Sequence, residues 1–317
     1  MNSGDVAYNV RLAVRVMPDG GSELFKPAAE GGWELFVRIE MEDLLTTNPI
    51  GFDKAGRTLY MTDSRGRNTS ALVALDAETG ELTLLAEDAR SDVDDWMVHP
   101  AEKHVQAVAF AYERKRWQVL DGTIEGDLAV LRGERVRMAD GDVEVVSRTL
   151  DDRTWIVAYL MDDGPLRYYR YDREAGKAST SLRFLFTNRK DLEDAPLARM
   201  HPVVIRSRDG MDLVSYYTLP LGADQSIRGA DQSIRSDGGR TRSHLPDRPL
   251  PMVLFVHGGP WGRDAWGYDP WHQWLANRGY AVLSVNLRFH RLWQGFCQRR
   301  RPRVGGQHAR RPDRRGG

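Results

Sequence analysis

A chain of 317 residues with 41% hydrophobic and 28% charged residues has a soluble, globular composition rather than a disordered or membrane one, and has room for two ordinary domains. The opening MNSGDVAYNVRLAVRV lacks a basic n-region with an apolar core, and no run approaches the roughly 18 apolar residues of a membrane span. No membrane partner is therefore expected, the cytoplasm is the expected location, and the single cysteine, Cys297, excludes an internal disulfide framework.

Formal net charge is zero, but it averages two unlike parts. The last 29 residues, Phe289–Gly317, hold nine arginines, no lysine and one acid, Asp313. Removing these ten from the 45 basic and 45 acidic residues leaves 36 and 44, so the body is mildly acidic. No nucleic-acid surface is expected on it.

Along the chain, Ala55–Glu81 and Asp151–Lys177 resemble each other at a spacing of 96 residues. Arg57/Arg153, Thr58/Thr154, Asp76/Asp172, Glu78/Glu174 and Gly80/Gly176 match without a gap. Each window reads strand, polar turn, strand, then a tight Asp-x-x-x-Gly turn. Half the spacing is close to the roughly 40–50 residues of one four-stranded propeller blade. His104–Leu120 would supply strands of the intermediate blade. Residues 1–200 are thus expected to form a partial β-propeller of about four blades; a β-sandwich with two similar hairpins is the alternative.

From Val203 the pattern changes. VVIRSRDGMDLVSYYTLP reads as a hairpin turning at Asp209–Gly210. Residues 222–249 contain the tandem heptapeptide GADQSIRGADQSIR and read as a flexible surface insertion, whose acids and His244 show no catalytic pattern. Met252–Val256 is expected to be a buried strand by its unbroken apolar run. Asp269 and Pro270 read as N-cap and first helical residue, Trp271, Trp274 and Leu275 as the lining of one helix face, and Gly279 as the C′ glycine. Tyr280–Asn286 reads as the next buried strand, the start of a doubly wound sheet.

RDGMDLVSYYTLP, PMVLFVHGGPWG, WHQWLANRGYAVLSVN and Arg288 together resemble the first third of the α/β-hydrolase domain of prolyl oligopeptidase-family serine peptidases. The acylaminoacyl-peptidase and dipeptidyl-peptidase branch is the most similar. The resemblance covers about Phe52–Arg288 and implies a propeller that narrows access to an active site acting on peptides. It implies that the backbone around Gly258, Gly259 and Pro260 is an oxyanion-hole remnant, where glycine leaves room for a substrate carbonyl. His257 is expected to fix this loop, and His257 with His272 lacks a third ligand for a metal site. No cofactor is implied.

The same resemblance places a catalytic serine in a G-x-S-x-G elbow, then an acid, then a histidine, all beyond this loop. The chain contains no G-x-S-x-G. No catalytic residue is therefore assigned; Ser284 lies mid-strand, and Ser207 and Ser215 are no better placed.

In Phe289–Gly317 hydrophobic period, caps and strands vanish together. One permitted coding of Phe289–Phe296, read one nucleotide later, gives STGFGKAF, and the same shift over Arg301–Gly317 can give GREWAGNMHDDLIDAV. Both resemble the family's continuation, so a frameshift near Arg288 is expected, with 289–317 a disordered, out-of-frame tail. A genuine arginine-rich arm for nucleic acid or acidic partners is the rival reading. The expectation is thus a peptidase fragment, inactive by itself, with residues 201–288 an incomplete α/β-hydrolase domain. A non-catalytic propeller binding module is the alternative. The resemblance also implies further blades ahead of Met1, and the oligomeric state is not legible.

Overall fold

In a computed structural model, residues 9–133, 141–173, 182–223, 246, 249–258 and 262–286 are described. Four antiparallel meanders follow one another in chain order. The first is β1 (Ala13–Val16), β2 (Ser22–Pro27) and β3 (Trp33–Ile39). The second is β4 (Asn48–Phe52), β5 (Thr58–Asp63), β6 (Ala71–Asp76) and β7 (Leu82–Ala86). The third is β8 (Val93–Val98), β9 (Val105–Ala111) and β10 (Lys115–Val119), and the fourth β11 (Asp142–Arg148), β12 (Thr154–Leu160), β13 (Arg167–Asp172) and β14 (Leu182–Thr187).

The 96-residue repeat maps onto the second and fourth meanders. Thr58 and Thr154 open β5 and β12, Asp76 and Asp172 close β6 and β13, and each Thr faces its Asp across the ladder. Asp76 Oδ1 accepts the backbone N–H groups of Glu78 and Thr79, and Gly80 follows at φ +76°, a conformation open to glycine at no steric cost. Glu174 and Gly176 of the second copy lie outside the described residues.

Successive meanders stack face to face because their central strands are apolar on both sides. Alternation with period two divides β6: Ala71, Val73 and Leu75 pack with Leu24, Val37 and Leu59, while Leu72 joins Val105, Val108 and Phe110. On β9, Ala107 and Ala109 turn the other way, onto Trp155, Val157 and Tyr171. Between β10 and β11 the short helix α1 (Glu125–Arg132) inserts Leu128 and Leu131, at helical spacing, into that same cluster. No helix was expected there.

The last sheet runs in the order β15 (Met200–Arg206), β16 (Asp212–Thr218), β18 (Ala281–Val285), β17 (Met252–Phe255). The β15–β16 hairpin turns at Asp209–Gly210 as expected, with Ser207 N donating to Met211 O at 2.8 Å and Gly210 at φ +84°. β17 pairs parallel with β18, joined by helix α2 (Pro270–Ala276). Asp269 caps α2 through the N–H groups of Trp271 and His272, with Pro270 at its first turn and Gly279 at φ +87° past its end.

One expectation fails here. β17 is not buried: Met252, Leu254 and Val256 are 61%, 57% and 50% exposed, because β17 is the edge of this sheet and no described element covers that side. The tryptophans of α2 share one helix face, and that face lies away from the core. Trp271 and Trp274 are exposed and meet each other edge-on, while His272, Gln273 and Ala276 form the buried face. Apolar spacing locates a helix face, but polar side chains with partners can outcompete it for the interior.

Candidate functional site

β17 and β18 run parallel, so their carboxyl ends open on the same side, where open α/β sheets bind ligands. The glycine turn leaves β17 at this end. Gly258 is exposed, and a Cβ there would meet nothing within 4 Å. Gly259 and Pro260 lie outside the described residues.

Around Gly258 the turn is tied in several ways. His257 Nδ1 is 3.0 Å from Gly258 O, a hydrogen bond that holds the ring against its own loop. Gly262 closes the turn so tightly that a Cβ would stand 2.3 Å from Gly258 O. Asn286, just past β18, brackets Asp264, accepting from its N–H at 2.7 Å and donating to its C=O at 2.9 Å. Burial pushes the Asp264 carboxyl above its ordinary range, and His257 opposes that shift. Asp264 Oδ2 and His257 Nε2 are buried with no hydrogen-bond partner among the described residues. The expectation singled out Gly258, Gly259 and Pro260 but missed Gly262 and Asp264; the third glycine of GGPWG was the available signal.

The turn between β9 and β10 reaches this loop. Arg263 donates to Tyr112 O at 2.7 Å, Tyr216 Oη donates to Glu113 O at 2.9 Å, and Trp266 Nε1 donates to Met200 O at 2.9 Å. Gln273 completes the attachment by accepting from Ala198 N at 2.8 Å and donating to Ala198 O at 2.7 Å.

The serines considered from sequence lie elsewhere. Ser284 Oγ is 2.8 Å from His272 Nε2, the distance of a nucleophile and its base, and Thr218 Oγ1 is 2.9 Å from His272 Nδ1. All three are buried between sheet and helix, at most 2% exposed, where no substrate can reach. Ser215 is buried and donates to Leu213 O, and Ser207 bonds Asp209 in the hairpin turn. His244 and Cys297 lie outside the described residues. Among the described residues no three His, Cys, Asp or Glu side chains cluster as metal ligands, and no helix is long and apolar enough to cross a membrane.

No family model matches the chain. It is 50% identical over 284 residues to dipeptidyl aminopeptidase BIII of Pseudoxanthomonas mexicana, covering 90% of this chain and 38% of that protein. It is 32% identical over 298 residues to dipeptidyl peptidase family member 6 of Caenorhabditis elegans, with the same two coverages. Among solved structures, a prolyl endopeptidase superposes with a TM-score of 0.55 at 12% identity, over 90% of this chain and 38% of that one. The chain thus spans somewhat over a third of the length of these relatives. Read with the HGGPWG stretch of the sequence, these likenesses support a prolyl oligopeptidase-family peptidase, of whose members the chain spans about 38%.

Proposed function

We propose that the chain is a segment of a serine peptidase or acylpeptide hydrolase and is catalytically inert by itself. Residues 1–200 are read as about four blades of a β-propeller, 201–288 as the opening of an α/β-hydrolase domain, and 289–317 as an out-of-frame tail. The intact enzyme would transfer the acyl group of a peptide to serine and then to water, in the cytoplasm. Gly258, Gly259 and Pro260 would offer backbone N–H groups to the oxyanion.

One observation carries this reading: a glycine turn stands at the carboxyl ends of two parallel strands in a chain that has no G-x-S-x-G. The stacked meanders support the propeller, and the β17–α2–β18 crossover supports the hydrolase opening.

The gene tests it. Read one base later from just after the Arg288 codon, it should encode STGFGKAF or a close variant. Further on, the same frame should carry a G-x-S-x-G elbow, an acid and a histidine in that order. A stop codon within a few triplets, or no elbow, overturns the frameshift and leaves the basic arm to be tested by salt-dependent nucleic-acid binding. The purified chain should hydrolyse neither acyl-peptides nor nitrophenyl esters; fluorophosphonate labelling that depends on the folded state would refute inertness.

A further inference from the structure

Residues 100–103 turn from β8 into β9 at the end of β9 opposite Tyr112, where the third meander meets the last sheet. His99 opens this turn. His99 N donates to His104 O at 2.8 Å and Lys103 N to His99 O at 3.0 Å, with Lys103 in the left-handed region at φ +63°. The His99 ring acts as a cap inside the turn, its Nδ1 accepting the backbone N–H of Ala101 at 3.2 Å and that of Glu102 at 3.0 Å. Glu102 in turn clasps the second meander: its C=O accepts from Lys54 N at 3.1 Å and its carboxylate from Lys54 Nζ at 2.7 Å.

Two donors on one lone pair fix the tautomer. Nδ1 must be bare, so the neutral ring carries its proton on Nε2, and a second proton has only Nδ1 to occupy. There it would replace both hydrogen bonds by a donor facing two donors. His104 stacks on this ring with centroids 5.3 Å apart, but its case differs. His104 Nε2 lies 2.9 Å from Asp121 Oδ2, and since a carboxylate only accepts, that bond survives whatever His104 Nδ1 carries. Burial would raise the Asp121 carboxyl, yet the bonds from His104, Gln106 and Thr123 hold it below its ordinary range. The charges around His99 are Glu102 in its own turn, His104 at the start of β9, and Arg148 and Asp152 of the fourth meander, with Arg148 donating to Val98 O at 3.3 Å. Burial lowers the His99 pKa; Asp152 and Glu102 oppose this, and His104 and Arg148 reinforce it.

We propose that His99 is an acid-operated latch: a proton on Nδ1 releases residues 100–103 and with them the Lys54–Glu102 clasp between the second and third meanders. The strands themselves stay paired. β8 and β9 are in register up to Val98 and Val105, outside the turn, and the apolar clusters that hold them do not include His99. Opening also frees Lys103 from a left-handed φ that a residue with a side chain adopts only at a cost. The sign is that of a depressed imidazole: the latch holds above the unfolded value of about 6.5 and is lost as pH falls through the lower, folded one. The event is a local opening, distinct from unfolding of the sheets.

NMR on the full chain tests this. At about pH 7.5 the nitrogen shifts of His99 should report the Nε2–H tautomer. As pH is lowered through the His99 midpoint, followed on its ring proton, the amides of Lys54, Ala101 and Glu102 should lose more than about fivefold of their protection from exchange, after correction for intrinsic rates. Val108 and Ala109, in the centre of β9, should keep theirs. His99→Asn, whose Oδ1 can stand in for Nδ1 but cannot titrate, should keep the turn closed over the same range, whereas His104→Asn should leave the acid opening in place. An Nδ1–H tautomer, protection unchanged across the midpoint, a loss shared by Val108 and Ala109, the same loss in His99→Asn, or its disappearance in His104→Asn overturns the inference.

Discussion

The guanidinium of Arg114 lies 3.6 Å from the centre of the Trp266 ring and bonds Asp142 at 2.7 Å, so one side chain joins the third meander to the fourth and to the last sheet. Asp142 is buried, which raises its carboxyl above the ordinary range, with Arg114 opposing that rise. Arg114→Ala should cost about 3–5 kcal/mol, since it strips a buried charge of its main partner. A carboxyl whose folded pKa is raised contributes stability at low pH that fades as pH climbs through the folded value. Losing Arg114 raises that value further, so the deficit against the parent should grow from about pH 4 to pH 7. Urea unfolding at the two pH values measures this; a deficit that does not depend on pH would refute the assignment.

Asp152 organises a second junction. It stands at φ +57° and accepts from Trp155 Nε1 at 2.8 Å, from Arg148 at 2.6 Å and from Arg173. Both guanidiniums lie over the Trp155 ring, at 4.5 and 4.8 Å from its centre. Asp152→Ala should cost about 3–5 kcal/mol by leaving two largely buried cations without their shared anion. Asp172→Ala, on an exposed carboxylate, should cost under about 1 kcal/mol. Equal losses in thermal unfolding would argue against the network.

His272 should stay neutral in mildly acidic solution. Burial lowers its pKa, and Asp269 pulls weakly the other way. A depressed imidazole contributes stability that is complete above the unfolded value of about 6.5 and is lost as pH falls through the folded one. Titration by NMR should show no transition near 6.5. His272→Ala should remove that part of the acid sensitivity and cost about 2–5 kcal/mol, because the hydroxyls of Thr218 and Ser284 lose their partner inside a new cavity.

The glycine turn offers a paired test. Gly262→Ala would drive a methyl into Gly258 O and should lower stability by about 1–3 kcal/mol. Gly258→Ala meets open space and should change it by less than about 0.5 kcal/mol. Calorimetry on both variants decides; the reverse order would show that the loop is set differently.

Much of the β-rich body was legible because its signals are local. Thr58 and Asp76 are ladder partners near enough in sequence that strand period and the Asp-x-x-x-Gly turn locate both strands, and the copy at Thr154 and Asp172 repeats the geometry. The capping of α2 was legible for the same reason. Which side of α2 is buried was not, since it depends on Thr218 and Ser284, 54 and 12 residues from His272. The exposure of β17 was equally hidden: an apolar run reports what a strand could bury, not whether a neighbour stands beside it. At the glycine turn, HGG was readable as a motif, whereas the roles of Gly262 and Asp264 arise from contacts across the loop and with Asn286.

The strand connectivity also sets an order of events in time. In the four meanders hydrogen-bonded strands are consecutive, so each sheet can zip as soon as its own stretch has left the ribosome. At about 5–20 residues per second, a stretch of roughly 40 residues takes about 2–8 s to emerge, whereas a hairpin forms in about 1–10 μs. Synthesis, not zipping, would pace that part of the molecule. β16 differs: it pairs with β15 at once but bonds Ser215 to Val285, 70 residues later. Until β18 arrives, its outer edge waits unpaired, and that interval is when a newborn chain is most exposed to pairing with the wrong strand.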